Sequence, residues 1–165
     1  MSRKHSFVIT ISNNKTEKEG VAYLLENYLG FFQVTKESRK EILTLLNLDL
    51  KYSKAFDVIY IPNLEKIELT SNHLKTYLED IILVELKTTK KFLPNNPKGF
   101  FFGATEKEFE FATILGKKFR FCFVCLNENS KSMSMQTLED LERLIKLKRV
   151  QFQIHGLQSS LGLNC

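Results

Sequence analysis

Three apolar runs in the sequence predict buried β-strands. They cover residues 55–61 (AFDVIYI), 81–87 (IILVELK) and 119–126 (FRFCFVCL), and polar segments flank each of them. Short runs rich in β-branched and aromatic residues are typical of strands rather than helices. We therefore expect three strands in the interior of one sheet.

Charged residues interrupt two of these runs. Asp57 lies within the first, and Glu85 and Lys87 end the second. Because side chains alternate between the two faces of a strand, Glu85 and Lys87 share the face of Ile81 and Leu83. An unpaired ion loses much of its hydration there, so the three groups need partners or a function. If the two strands pair, the groups converge on an oxygen-rich site suited to Mg²⁺.

Helical periodicity predicts two helices in the first part of the chain. One runs from about Thr16 to Leu29, begins with a Thr-x-x-Glu capping box and ends at Gly30. Another follows a second box, Ser38-x-x-Glu41. The apolar stripe of the first helix consists of Val21, Leu24, Leu25, Tyr28 and Leu29.

The second half of the chain predicts two more helices and an edge strand. One helix begins near Thr105, and the other runs from Met135 to Lys148 with leucines along one stripe. Residues 150–154 (VQFQI) alternate strictly, as expected of a half-exposed edge strand. Residues 156–165 offer little to bury and are expected to form a mobile tail.

The order Asp57, 27 residues, then Glu85-x-Lys87 resembles the active-site motif of the PD-(D/E)xK nuclease superfamily. The order of the predicted elements over residues 16–127 resembles that superfamily's core. More narrowly, residues 56–58 (FDV), 84–89 (VELKTT) and 105–108 (TEKE) resemble the nuclease-like domain found at the C-terminus of NO VEIN proteins. Phenylalanine rather than proline precedes the aspartate here.

The resemblance implies an α/β fold with a restriction-endonuclease-like core, a central mixed β-sheet flanked by helices. One nuclease-like domain would span residues 1–165, with its core at about 16–127, a C-terminal helix and strand at 134–155 and the tail after them. At 165 residues, the chain has a length typical of one domain.

The implied activity is that of a Mg²⁺-dependent DNA endonuclease of restriction, homing or defence type. Asp57, Glu85 and Lys87 would be catalytic, and Asp57, Glu85 and the Leu86 backbone carbonyl would hold one or two Mg²⁺ ions. A structure-selective repair nuclease or resolvase would share this chemistry. A non-catalytic DNA-binding module on the same scaffold is the third alternative, since fold alone does not fix function.

Other acidic residues are left open as members of the site. The superfamily often adds a glutamate from the first helix, for which Glu19 and Glu26 are candidates, although Glu19 would also serve its capping box. Glu108 matches a family position and likewise caps a predicted helix, in Thr105-x-x-Glu108.

The loop after the Glu85 strand carries candidate DNA contacts. Lysines there would contact phosphates, and asparagines could reach base edges, but a solvated basic loop is an equal alternative. These candidates are Lys90, Lys91, Asn95, Asn96 and Lys98. Cutting both strands of a duplex would need two sites, so we expect a homodimer or higher homo-oligomer.

Composition agrees with this interpretation. A net charge of +5 and a pI near 9.0 favour a polyanionic partner, and 43% hydrophobic residues with 14 phenylalanines exclude a disordered chain. The sequence contains no phosphate-binding glycine loop and no G-x-S-x-G elbow, and its three histidines are scattered. Without a long apolar run or signal peptide, we expect a cytoplasmic protein with no membrane partner.

The cysteines do not suggest a disulfide scaffold or a zinc site. Cys122 and Cys125 form a C-x-x-C string, but in a regular strand their side chains would lie on opposite faces. We expect them to be buried core thiols.

Overall fold

A computed structural model of the protein describes residues 2–147, with side chains described from residue 14 onward. Its centre is a five-stranded mixed sheet in which the spatial order of the strands follows the chain. Only the third and fourth strands are parallel, and each other neighbouring pair is antiparallel. The strands are β1 (Phe31–Gln33), β2 (Val58–Tyr60), β3 (Ile82–Thr89), β4 (Phe119–Cys125) and β5 (Ser132–Gln136).

Helices flank both faces of this sheet. They are α1 (Ser2–Asn27), α2 (Lys36–Leu45), α3 (Ser71–Thr76), α4 (Glu106–Leu115) and α5 (Leu138–Leu144). Short 3₁₀ turns lie at Leu50–Tyr52 and Gly116–Lys118. The fold is therefore α/β with helices around an open mixed sheet, as predicted. Among the described residues, no helix combines the length and apolar character needed to cross a membrane.

Two apolar layers cover the sheet, and they confirm the predicted alternation along β3. On the α1 face the layer contains Leu24, Phe31, Val58, Val84, Leu86, Cys122 and Val124. On the opposite face, against α2 to α5, the buried residues include Phe56, Ile59, Ile81, Leu83, Phe111, Phe119, Phe121 and Phe123. Glu85 and Lys87 continue the row of Ile81 and Leu83, so they lie on the α4 side of the sheet.

Strand β2 is much shorter than β3, and this difference positions the site. Val58 is opposite Val84, and pairing with β2 stops there, whereas β3 continues to Thr89. On its other side β3 remains paired with β4 through Thr89. Among the described residues, the second half of β3 therefore has a strand neighbour, β4, on one side only. Asp57, just before β2, lies at the point where pairing with β2 ends.

The starts of two helices differ from the prediction. α1 begins at Ser2, so Thr16 lies inside the helix and is not its N-cap. No glycine or proline interrupts residues 2–15, and a Thr-x-x-Glu pattern does not by itself stop a helix from extending upstream. The N-cap of α2 is Thr35, whose side chain accepts from the Ser38 amide. Leu29, predicted on the buried stripe, is 59% exposed.

The C-terminal prediction was partly wrong. Met135 and Gln136 belong to β5, which pairs with β4, and the helix begins only after the Thr137 cap. The hydrogen bonds offered by the neighbouring strand, together with the cap, override the helical periodicity. The predicted strand at 150–154 and the tail at 156–165 lie outside the described residues.

Gly30 makes the turn from α1 into β1 possible. Its φ is +87°, and a Cβ there would lie 2.5 Å from the Ile61 carbonyl oxygen. We predict that Gly30→Ala lowers the free energy of unfolding by about 1–3 kcal/mol. Urea denaturation measures the loss. Gly103→Ala, where a Cβ meets nothing within 4 Å, is the control and should change stability little. Equal effects of the two substitutions would contradict this explanation.

Candidate active site

Asp57 joins the start of β2 to β3. Its amide donates to the Val84 carbonyl at 2.8 Å, and its Oδ2 accepts from the Leu86 amide at 2.8 Å. The Asp57 carboxylate therefore accepts the hydrogen bond from the Leu86 amide that a backbone carbonyl would accept if β2 began earlier. This bond holds the half-buried Asp57 carboxylate beside the peptide that links Glu85 to Leu86.

The Leu86 carbonyl faces the same side as Asp57. In a strand, the N–H and C=O of one residue leave the backbone on the same side. Since the Leu86 amide donates to Asp57, its carbonyl oxygen is also directed to the side of β3 that β2 leaves uncovered. This direction agrees with the role that the resemblance gives to Leu86.

Glu85 and Lys87 form a buried ion-pair network with Glu108 of α4. The Lys87 Nζ donates to Glu85 Oε1 at 2.8 Å and to Glu108 Oε2 at 3.1 Å. Glu85 and Glu108 are only 6% and 7% exposed. Glu108 Oε2 also accepts from the Thr105 amide at 2.9 Å, which confirms the predicted cap. The Glu108 carboxylate therefore both caps the N-terminus of α4 and pairs with Lys87.

One oxygen of this network has no protein partner. Within the described part of the chain, Glu85 Oε2 is buried and accepts no hydrogen bond. A buried carboxylate oxygen left unpaired costs free energy, because it has lost water without replacing it. Such an atom marks the place where a further donor or a cation would be favourable.

Burial and neighbouring carboxylates raise the pKa of Glu85 to about 9. Desolvation is the main cause, and the charges of Asp57 and Glu108 add to it, while Lys87 opposes it. For Lys87 itself, burial lowers the pKa, but Glu85 and Glu108 outweigh burial and the pKa is raised. A proton on Glu85 would remove part of that stabilisation of Lys87. Desolvation, the largest cause, does not depend on the charge of Lys87, so the folded protein holds the Glu85 proton more tightly than the unfolded chain does.

A fourth carboxylate, Glu17 of α1, approaches Asp57. Burial of its carboxyl group, the charge of Asp57 and a hydrogen bond to Asp57 raise the pKa of Glu17, although the residue as a whole is exposed. Lys87 and Arg39 act in the opposite direction. A glutamate of the first helix therefore lies close to Asp57, but it is neither Glu19 nor Glu26, the two candidates named from the sequence.

Glu19 and Glu26 lie elsewhere on α1. Glu19 pairs with Lys90 at 2.5 Å, and this pairing lowers its pKa. Glu26 is exposed and lines shallow surface grooves beside α1. Within the described part of the chain, neither residue has a hydrogen bond to Asp57, whereas a hydrogen bond to Asp57 contributes to the raised pKa of Glu17.

Arg39 of α2 adds a positive charge that was not predicted. Its guanidinium donates to the Asp57 and Ser53 carbonyls, both at 3.2 Å, and lies 5.5 Å from the centre of the Phe56 ring. These contacts fix the backbone that presents Asp57. Nothing in the local sequence around Arg39 indicates this role, because its partners are 14 and 18 residues away.

The donor set fits a hard cation such as Mg²⁺. It consists of the Asp57 carboxylate, the unpaired Glu85 oxygen and the Leu86 carbonyl, all oxygen atoms. In the described residues, however, no three His, Cys, Asp or Glu side chains are already grouped as metal ligands. The ammonium of Lys87, between Glu85 and Glu108, instead provides the positive charge at this point.

The predicted DNA-contact residues occupy the loop between β3 and α4. Lys91, Asn95 and Lys98 are exposed. Lys90 is exposed as well but pairs with Glu19. Asn96 is different, since its amide nitrogen donates to the Phe123 carbonyl at 2.9 Å and to Ser132 Oγ at 3.2 Å. Both of these hydrogen bonds of the amide nitrogen are made within the protein.

The two described cysteines lie on opposite faces of β4, as predicted. Cys122 belongs to the apolar layer beneath α1, and burial raises the pKa of its thiol. The Cys125 thiol donates to the Lys91 carbonyl at 3.2 Å. Both thiols are free and buried.

Comparisons with protein-family models, with curated proteins and with solved structures found no match to this chain.

Proposed function

We propose that this protein is a Mg²⁺-dependent DNA endonuclease built on a restriction-endonuclease-like core. The observation that carries the proposal is the buried, unpaired Glu85 Oε2. It lies on the strand to which the Asp57 carboxylate bonds and from which the Lys87 ammonium projects. Asp57, Glu85 and the Leu86 carbonyl would hold one or two Mg²⁺ ions.

The proposed reaction is hydrolysis of a phosphodiester without a covalent intermediate. A water oxygen forms a bond to phosphorus, and the bond from phosphorus to one sugar oxygen breaks, which leaves a phosphate monoester and a hydroxyl group. When bound, Mg²⁺ would acidify the attacking water and stabilise the charge that develops on the phosphate. The other catalytic roles would belong to side chains of this protein.

Lys87 would orient the attacking water and stabilise the developing negative charge. Because its pKa is raised despite its burial, Lys87 is charged at neutral pH and is suited to electrostatic stabilisation rather than to removing a proton. Glu108 holds the ammonium from the side of α4 and so limits its motion. Pre-organised charge of this kind is usually a large part of catalysis.

Glu17 would assist Asp57 at the cation. We predict that Glu17→Gln raises the Mg²⁺ concentration needed for half-maximal cleavage by about tenfold or more. Glu19→Gln is the matched control on the same helix, and it should leave the Mg²⁺ requirement unchanged because Glu19 pairs with Lys90. The measurement is initial cleavage rate against Mg²⁺ concentration. The reverse ranking of the two variants would assign the helix carboxylate to Glu19.

A non-catalytic DNA-binding module is the second candidate, and one observation favours it. Lys87 already bridges Glu85 and Glu108, so the two carboxylates are held together without a metal ion. On this alternative the network would only hold β3 against α4. The module would bind DNA equally well with and without Mg²⁺ and would cut nothing.

The experiment that separates the candidates uses the purified 165-residue chain. It is incubated with plasmid, linear duplex, single-stranded and branched DNA in Mg²⁺, in Ca²⁺ and in EDTA. We expect cleavage only in Mg²⁺, since Ca²⁺ coordinates more loosely and acidifies water less. Binding without cleavage of any substrate would favour the non-catalytic module. Cutting by a homodimer would appear as breaks in both strands of a duplex.

A further inference from the structure

The loop between β3 and α4, residues 90–104, is attached at both ends to the candidate site. It begins three residues after Lys87, which follows Glu85 on β3, and it ends at the Thr105 cap whose amide binds Glu108. Lys87 and Glu108 are joined by an ion pair of 3.1 Å. A DNA strand at the site would therefore lie beside this loop.

The loop is held firmly against the end of β4. The Asn96 amide donates to the Phe123 carbonyl, and the Leu93 amide donates to Ser130 Oγ at 2.9 Å. The rings of Phe100 and Phe102 each meet the Phe123 ring edge-on at 5.0 Å. These contacts fix the backbone of the loop, so its outward side chains have a defined position.

Two phenylalanines of this anchored loop remain exposed. Phe92 is 59% exposed and Phe101 is 67% exposed, although the neighbouring Phe100 and Phe102 pack inward. Full burial of such a side chain would be worth about 1.5–3 kcal/mol, so leaving two of them exposed is unfavourable for the free protein. Single exposed apolar residues are ordinary, but two on one rigid loop beside a candidate site suggest a binding surface.

The charges beside these rings indicate the chemistry of the partner. Lys91 precedes Phe92, Lys98 lies three residues before Phe101, and both lysines are exposed. Alternation of cations with exposed aromatic rings is typical of proteins that bind single-stranded nucleic acid. The lysines attract phosphates, and the rings offer flat surfaces to bases. A base already stacked in a duplex has no free face to offer such a ring.

We propose that Phe92 and Phe101 stack on unpaired bases while Lys91 and Lys98 contact the adjacent phosphates. The substrate class would then be DNA with a single-stranded segment, such as a flap, a splayed end or a single strand. The choice of DNA as the polymer rests on the function proposed above. The stacking itself depends only on the exposed rings and lysines.

The absence of tryptophan from the sequence permits a direct test. Phe101→Trp introduces a single tryptophan at the proposed stacking position. Leu29→Trp is the matched control, because Leu29 is 59% exposed but lies beyond the end of α1. Each variant is titrated in Ca²⁺ with an oligothymidine single strand and with a blunt duplex of the same length, and tryptophan fluorescence is recorded.

We expect the single strand to quench the fluorescence of Phe101→Trp, the duplex to quench it much less, and neither DNA to quench Leu29→Trp. Phe92→Ala should weaken binding of the single strand by about fivefold to a hundredfold in anisotropy measurements. No quenching of Phe101→Trp, or equal quenching by both DNAs, would overturn the proposal. Stacking without any cleavage in Mg²⁺ would support this inference while refuting the proposed nuclease.

Discussion

Lys87→Ala is expected to reduce DNA cleavage by roughly a hundredfold to ten-thousandfold. The ammonium would act on charge that develops only in the transition state, so its removal lowers the rate of chemistry and not the affinity for DNA. Cleavage is measured as single-turnover rate in Mg²⁺. Binding is measured separately by fluorescence anisotropy in Ca²⁺, where it should be nearly unchanged.

Two further variants show whether a loss of cleavage reflects lost catalysis or a destabilised fold. Lys87→Ala leaves Glu85 and Glu108 without their common partner, and breaking a buried ion pair is destabilising. Lys87→Arg keeps the positive charge between the two glutamates, so it should preserve the fold. Because the guanidinium is larger and planar, it should not replace the ammonium in catalysis, and most activity should still be lost. Lys75→Ala removes an exposed lysine of α3 that is not among the proposed DNA contacts, and it should retain the rate of chemistry. Full activity of Lys87→Ala would end its assignment as a catalytic residue.

Glu85→Gln should stabilise the metal-free protein at alkaline pH. The folded state raises the pKa of Glu85 to about 9 from its ordinary value of 4.5, so it binds the proton more tightly than the unfolded chain does. Its stabilising contribution is complete below the unfolded pKa and is lost as the pH rises through the folded pKa. The free energy of unfolding of the natural protein should therefore fall between about pH 5 and pH 9.

Glu85→Gln removes this pH dependence of the free energy of unfolding because glutamine does not titrate. We expect a flatter profile and, at pH 9 in EDTA, a gain in stability on the order of a few kcal/mol. Urea denaturation at pH 5, 7 and 9 measures it. Glu128→Gln is the control, since its side chain is 84% exposed and its removal should change stability by less than about 0.5 kcal/mol. Parallel pH profiles for the natural protein and Glu85→Gln would contradict the proposed burial effect.

The parts of the fold that local pattern encodes were predicted well. Alternation along β3 predicted which side chains share a face, and the two apolar layers confirm it. The box Thr105-x-x-Glu108 predicted the start of α4. In both cases the signal lies within a few residues of the feature, and the tertiary structure reinforces it.

Features that depend on distant partners were not predicted. β1 has only three residues, and β5 reads Ser-Met-Ser-Met-Gln, with none of its residues fully buried. Such strands form because a neighbouring strand supplies hydrogen bonds and packing, and this information is not local. α3 was likewise missed, although Thr70 and His73 cap it reciprocally.

Glu17 lies within the predicted helix of residues 16–29, but it was not named among the helix glutamates that could join the site. A signal for it does exist in Gly20, three residues further along the helix. A Cβ at Gly20 would lie 2.3 Å from Thr88 Oγ1, so the glycine marks the place where α1 approaches β3 closely. Residues three apart share a helix face, which places Glu17 on the side of α1 that faces the site. A helix-interior glycine is the feature that could have indicated it.

The central claim is that Asp57 and Glu85 bind a divalent cation, and thermal unfolding tests it most directly. Melting temperatures of the natural protein and of the Asp57→Asn, Glu85→Gln double variant are compared at pH 8 with Mg²⁺ and with EDTA. A cation that binds only the folded state raises the melting temperature. We predict a Mg²⁺-dependent increase for the natural protein and none for the double variant. An increase of equal size in the double variant, or no increase in the natural protein, would contradict the claim.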